Sequence, residues 1–333
     1  MPEVKIIRDI AGLEKLVPEW WALWLKNPHS TVFQTPAWIL PFWQAFAPGS
    51  LCSIAICIGE QLAGLAPLYL EQGALGTRLL PIGIGLSDYC DVLLDPELAS
   101  ATAAKMAEAL AAIEEWEICE FAELHSAAFA MQIPVPQGSS AELRDGSIAP
   151  VLEIPPGANM LWDVIPGKKG QNVRRAFSAI DKRGEARFSA ATAEDAQDWL
   201  SDLIRLHSAR WFSRGEPGVF ADPRVGQFHS LALPQLFSHD LARIYRLTIG
   251  NRVVGLYYGY LDRGRAFAYS TGFDPALPEC SPGTLVLAHA ITEAMRSGVR
   301  EFHFLRGDEA YKFVWGAAAR QNRYRLFLRG NSA

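Results

Sequence analysis

The 333-residue sequence predicts an α/β (α+β) chain built as two successive units, each a mixed, mostly antiparallel sheet flanked by helices. Three observations carry this. The stretch Ser53-Ile-Ala-Ile-Cys-Ile-Gly-Glu-Gln-Leu-Ala-Gly-Leu-Ala-Pro-Leu-Tyr69 resembles Ile244-Tyr-Arg-Leu-Thr-Ile-Gly-Asn-Arg-Val-Val-Gly-Leu-Tyr-Tyr-Gly-Tyr260. Each is an apolar run, a Gly-polar turn and a second run bearing Gly-Leu at one position, about 190 residues apart. Each hairpin is followed by further strand, then a helix (96–116; 282–297), then a short strand (117–124; 301–305). Between them, 132–160 is rich in Pro, Gly and Ser around one predicted strand at 150–154, which places the domain boundary there and divides the chain into 1–155 and 156–333.

The remaining elements follow in order. Residues 4–7 read as a strand, after which Asp9 caps a helix with Leu13, Leu16, Trp20 and Trp24 near helical spacing. Thr35 and Pro36 suit the N-cap and first position of the next helix. Its flanking aromatics, Phe33 to Trp43, read as core. Beyond the first hairpin a strand pair is predicted at 79–84 and 90–94, and the helix 96–116 presents Met106, Leu110 and Ile113. In the second unit Gly167-Lys-Lys-Gly-Gln-Asn-Val-Arg-Arg175 leads a helix with Val173, Phe177 and Ile180 on one face. Its basic run is read as a solvated face, with a phosphate role as the alternative. A helix over 194–211 buries Leu200, Leu203, Ile204 and, in the same stripe, His207. That spacing makes His207 a core histidine rather than a base. The loop 210–220 can cover a cleft, turning at Gly215 and Gly218.

Composition excludes several classes. Hydrophobic residues are 50% and charged residues 20%, so the chain buries large cores and is neither disordered nor fibrous. No run approaches the roughly 18 apolar residues of a membrane helix, and Met-Pro-Glu-Val-Lys lacks the character of a signal peptide, so no membrane span and a cytoplasmic location are expected. The five cysteines form no C-x-x-C pair, which predicts buried thiols rather than disulfides or a zinc site; no metal is expected. The net charge of −5 is uneven: through Glu153 there are 7 Lys and Arg against 19 Asp and Glu (−12), and afterwards 24 against 17 (+7). The second unit is therefore the better host for an anionic ligand. Nucleic acid is not favoured, because the basic residues are scattered rather than arrayed with stacking aromatics.

The densest chemistry lies in Glu301-Phe-His-Phe-Leu-Arg-Gly-Asp-Glu-Ala-Tyr-Lys-Phe-Val-Trp-Gly316. An apolar strand breaks at Gly307, and Asp308, Glu309, Tyr311 and Lys312 follow at its mouth, where ligands of α/β sheets bind. Equally, Asp308 can simply cap a helix holding Tyr311, Lys312 and Trp315. Both readings stay open at this point.

The hairpin Gly250-Asn-Arg-Val-Val-Gly255, then Ser281-Pro-Gly-Thr-Leu285 opening a helix, then Gly298 through Lys312 with its Gly-Asp-Glu-x-Tyr-Lys end, resemble the GNAT-like acetyltransferases of the cellulose-biosynthesis (CelD-like, BioF2-like) group. That group is similar to FemAB-type transferases, which carry two GNAT folds in tandem. The resemblance covers 166–316 well and 31–70 more loosely. It implies tandem GNAT-like units and transfer of an acyl group from acetyl-CoA or another acyl-CoA to an amine or hydroxyl. The acceptor is a small molecule or saccharide, such as a sugar, polysaccharide precursor or cell-envelope component. Ser281, Gly283, Thr284 and Leu285 are the candidate cofactor-binding residues, a helix start with N–H groups for a pyrophosphate. The usual Gln/Arg-x-x-Gly-x-Gly/Ala loop is replaced by Glu279-Cys-Ser-Pro-Gly-Thr, whose proline removes a donor. Asp308 or Glu309 would serve as base, Tyr311 as acid to the departing thiolate and Lys312 as oxyanion or phosphate partner. Arg210, Trp211 and Arg306 are candidates for substrate binding. Tyr269 is a second acid candidate beside a core reading, and Cys280 an incidental thiol. Two alternatives accompany this reading: a FemAB-like transfer from aminoacyl-tRNA, and a non-catalytic scaffold in a polysaccharide-synthesis complex.

Overall fold

The computed structural model describes residues 2–74 and 76–330. The chain divides into two compact units, one formed by residues up to Ser147 together with the segment from Gln321 on, the other by 148–320. The boundary thus falls a few residues before the expected 155/156, and the C-terminal segment returns to the first unit. The cause is one 15-residue strand, Ser139–Glu153, where the sequence suggested irregular chain around a short strand. Its first part carries Ser, Glu, Arg, Asp and Gly, so no apolar alternation marks it.

The first unit contains β1 (Pro2–Ile7), α1 (Ile10–Glu14), α2 (Val17–Lys26), α3 (Pro36–Phe46), β2 (Ser50–Leu51), β3 (Ser53–Ile58), β4 (Gln61–Ala66), β5 (Leu68–Gly73), β6 (Gly76–Pro81), β7 (Leu93–Leu94), α4 (Ala99–Ala112) and β8 (Ile118–Leu124), followed by β9 (Ser139–Glu153). Asp9 caps α1 by accepting the Gly12 N–H at 2.8 Å, but the helix stops at Glu14 and restarts at Val17 because Pro18 suits only a first turn. Thr35 and Pro36 stand at the expected N-cap and first position of α3. One sheet has the order β1-β3-β4-β7, all antiparallel. Pro67 ends β4, and the chain continues as β5 in a different sheet, beside β2 and β6. The segments expected to pair at 79–84 and 90–94 do not: β6 lies between β5 and β8, and β7 joins β4.

The second unit contains α5 (Gly167–Asp181), β10 (Ala186–Ala190), α6 (Ala196–Phe212), α7 (Pro223–Ser238), β11 (Ala242–Ile249), β12 (Arg252–Asp262), β13 (Arg265–Phe273), α8 (Pro282–Arg296), β14 (Glu301–His303) and α9 (Ala310–Phe313); β15 (Ala318–Arg329) follows and pairs antiparallel with β8 inside the first unit. Strands β10 to β13 are antiparallel neighbours in that order, β14 pairs parallel with β13, and Val151 to Glu153 of β9 pair antiparallel with β14. Each unit is therefore mixed and mostly antiparallel. Its core in the second unit is built by Val173, Ile180, Leu247, Val254, Leu285, Ile291, Phe302 and Trp315 among others.

The repeat is physical as well as sequential. The orders β1-β3-β4-β7 and β10-β11-β12-β13 match, and in both hairpins the register shifts at the same place, between Ile56 and Cys57 and between Leu247 and Thr248. The two Gly-Leu glycines sit opposite Ile56 and Leu247. A Cβ on Gly64 would lie 2.5 Å from Thr102 Cγ2 on α4, and one on Gly255 would lie 2.9 Å from Val286 Cγ1 on α8. The glycines recur because each unit lays its following helix directly on that strand. A left-handed residue also stands near the end of each final strand, Glu123 at φ 53° just before the last residue of β8 and Leu305 at φ 60° two residues past β14. Among the described residues no helix is long and apolar enough to cross a membrane, and the five cysteines are free and buried.

Candidate functional site

Strands β13 and β14 pair over only three residues, Arg265 to Phe267 with Glu301 to His303. Past this point β13 stays with β12, whereas the chain after β14 leans toward β9: the Phe304 N–H donates to Pro150 O at 2.9 Å and the Gly307 N–H to Ile148 O at 2.8 Å. The parallel strands thus part. A cleft of about 640 Å³ opens there, lined by Ala268 to Thr271 and Phe273 on one side and Phe304 on the other, with the start of α8 at one end. Helix α6 forms a further wall, packed so closely that a Cβ on Gly272 would lie 2.9 Å from Leu203 O.

Of the residues singled out in sequence, the cleft gathers Arg210, Trp211, Ser281, Gly283, Thr284, Glu309 and Tyr311. Ser281 stands at the N-cap of α8 in a left-handed conformation (φ 45°), with its hydroxyl turned back to Pro278 O. The amides of Thr284 and Leu285 both donate to Ser281 O, at 2.9 and 3.2 Å, so Gly283 carries the helix-start N–H with no backbone partner among the described residues. A Cβ on Gly283 would come 2.5 Å from Phe273, which explains the glycine by packing. Leu285 lies fully buried in the core and does not line the cleft.

Glu309, not Asp308, is the N-cap residue of the short helix α9. Asp308 is exposed, has no hydrogen bond or ion pair among the described residues, and is not part of the cleft wall. Lys312 is drawn inward rather than presented to the cleft. It is 3% exposed, and its Nζ donates to Leu305 O, Arg306 O and Gly307 O at 3.2, 2.6 and 3.3 Å and lies 2.9 Å from Glu309 Oε2. Those carbonyls belong to the turn made by Leu305 and Gly307, both at positive φ, so the ammonium ties the turn and aims Glu309. Arg306 lies outside the cleft wall and contributes its carbonyl to this knot. Tyr311, though about half exposed over its whole surface, has its phenol pKa pushed up to about 12, first by desolvation and then by Glu309, so it stays protonated and able to donate.

On α6, the Trp211 indole N–H donates to His207 Nε2 at 2.8 Å. Because an indole can only donate, Nε2 is the unprotonated nitrogen of a neutral ring. Burial, then Arg210, pushes the His207 pKa down to about 4. His207 is thus buried as expected, yet it also lines the cleft. Gly218 (φ 69°) is indispensable to the loop after α6, since a Cβ there would lie 2.8 Å from Trp211 and 2.9 Å from His207. Arg210 lies 4.7 Å from the Phe273 ring centroid, and no carboxylate pairs with it or with Arg214 among the described residues. Burial holds the Cys280 thiol pKa up, leaving it inert.

Sequence reasoning missed Lys169, Ser270, Thr271, Phe304 and Trp315 as cleft residues. The signal for Lys169 was its basic run, within which Lys169 alone faces the cleft. Among the described residues no group of His, Cys, Asp or Glu is placed to hold a metal ion.

Residues 167–313 match the family described as an acetyltransferase (GNAT) domain. No curated protein matches the chain by sequence. Among solved structures, FemX is similar at a TM-score of 0.66 and 11% identity, over 97% of this chain and 96% of that one. The C-terminal domain of a putative lysylphosphatidylglycerol synthetase from Agrobacterium fabrum gives 0.59 at 10% identity, over 96% and 93%. A tandem GNAT protein from the clavulanic acid biosynthesis pathway gives 0.50 at 14% identity, over 99% and 100%. The second unit matches a GNAT domain and the chain shares its fold with FemX and a tandem GNAT protein; the CelD-like group in particular is not what these comparisons point to.

Proposed function

We propose that the second unit transfers an acyl group from an acyl-CoA, acetyl-CoA or a longer homologue, to an amine or hydroxyl of a small-molecule or saccharide acceptor. The observation that carries this reading is the parting of β13 from β14. Past Phe267 one edge of β13 has no neighbouring strand among the described residues, and an extended, amide-bearing donor arm fits such an edge as an added strand. In the first unit the corresponding region is crossed by hydrogen bonds. There the Cys90 N–H bonds Ala122 O, Asp91 accepts from the Phe129 and Ala130 amides, and Asp95 caps the turn before α4 while pairing with Lys26. In this reading Glu309 takes the acceptor's proton, Tyr311 protonates the departing thiolate, and Lys312 holds both by fixing their turn. Asp308 faces solvent and takes no part. Arg210, Arg214 and Trp211 border the acceptor's entry. A sugar, polysaccharide precursor or cell-envelope component remains the acceptor class that the sequence resemblance suggests, with a polysaccharide-synthesis complex as its setting.

One observation favours a second reading, a FemAB-like transfer from aminoacyl-tRNA. Pro282 has no N–H and the Thr284 and Leu285 amides are already engaged, so α8 offers a pyrophosphate little beyond Gly283, while Arg210 and Arg214 have no carboxylate partner among the described residues. Thermal unfolding with acetyl-CoA, longer acyl-CoAs and free coenzyme A separates the two. Under the first reading, ligand at 100 times its dissociation constant stabilises the protein by about 2.7 kcal/mol. No shift with any coenzyme A species, together with a shift on adding charged tRNA, overturns it in favour of the second.

A further inference from the structure

We propose that Lys169 is an acylation site of this chain: its ε-amine, standing in the cleft over the Trp315 ring, takes the acyl group of an activated donor when no acceptor is bound. Lys169 lines the cleft with Nζ 4.0 Å from the centroid of Trp315, which is itself 1% exposed. It has no hydrogen bond or ion pair among the described residues. It is the third residue of the 15-residue α5, so the positive end of that helix disfavours an ammonium there.

Among the described residues, the acidic groups that line the cleft are already paired. On α6 the facing charges are Arg210 and Arg214, with His207 neutral. On the loop before α8, Asp274 is held by Arg252; on α9, Glu309 is held by Lys312 and Tyr311 keeps its proton. On α5 itself, Lys168 is exposed and Arg174 stacks 4.2 Å from the Trp162 centroid. The Trp315 face favours the cation, but desolvation outweighs it and lowers the Lys169 pKa to about 8. Roughly a tenth of the side chain is then free amine at pH 7, against well under a hundredth for an ordinary lysine.

The step balances without a further reactant. The amine lone pair attacks the donor's carbonyl, the C–N bond forms as the C–S bond breaks, and the proton lost by nitrogen goes to the thiolate, leaving an amide and a free thiol. For a thioester donor this rests on the reading under Proposed function; the amine's reactivity does not.

The test maps acetylated lysines by peptide mass spectrometry after treating the folded protein, without acceptor, with acetyl-CoA and separately with limiting acetic anhydride, which needs no donor site. The expected result is Lys169 labelled well ahead of Lys168 and the exposed lysines by both reagents, with the rate rising through about pH 8, and loss of that peptide's label in Lys169→Arg but not in Lys168→Arg. Preference for Lys169 with anhydride but no transfer from acetyl-CoA supports the reactive amine and removes the acyl-CoA reading instead. Equal or greater labelling of Lys168 by both reagents overturns the proposal.

Discussion

Lys312→Met is expected to destabilise the second unit by about 2–4 kcal/mol, read as a lowered denaturation midpoint. Methionine keeps the apolar stem but leaves the Leu305, Arg306 and Gly307 carbonyls without their shared donor and releases Glu309. The turn those carbonyls form is already costly, because Leu305 is a β-carbon residue at φ 60°. Turnover should fall as well, through lost aim of Glu309 and Tyr311. Unchanged stability with abolished turnover would contradict this and return Lys312 to a direct role in the reaction.

Tyr311→Phe is expected to lower turnover by roughly 100-fold or more while leaving the melting temperature nearly unchanged, since the side chain is half exposed and only its hydroxyl is lost. With a phenol pKa of about 12, wild-type activity should show no alkaline loss assignable to Tyr311 across the neutral range. Glu309→Gln keeps a hydrogen bond to Lys312 but cannot accept a proton, and should lose turnover similarly. Asp308→Asn, altering an exposed side chain outside the cleft wall, should retain it. Full activity in Tyr311→Phe would exclude the phenol as acid and move attention to Tyr269, which also borders the cleft.

The duplication was readable because its cause is local. A Gly-Leu step stands in both units where the following helix lies on the strand, and Gly64 and Gly255 meet Thr102 and Val286 for that reason. The C-terminal strand β15 was not readable: Ala-Ala-Arg-Gln-Asn-Arg-Tyr-Arg opens it, and its arginines act by long-range bonds, Arg325 to Ala130 O and Arg329 to Leu110 O and Ala111 O. Helix α7 carried a signal that went unused, Asp222 capping and Pro223 in the first turn, beside an interior Pro234 that argued against a helix. At the site, residue types were legible but directions were not. Asp308 and Glu309 are neighbours in sequence, and only the left-handed turn at Leu305 and Gly307, tied by Lys312, turns one outward and the other to the cleft. The cleft itself depends on where β13 and β14 stop pairing, which no local pattern records.

The most direct measurement is a crystal structure of the protein with a non-hydrolysable acyl-CoA analogue. The expected result is density for the acyl-bearing arm beside residues 268–271 of β13, facing Phe304, with its carbonyl near Tyr311 and its phosphates toward Gly283. Density at the start of α4 in the first unit, or an analogue bound elsewhere with the β13–β14 cleft empty, would contradict the account.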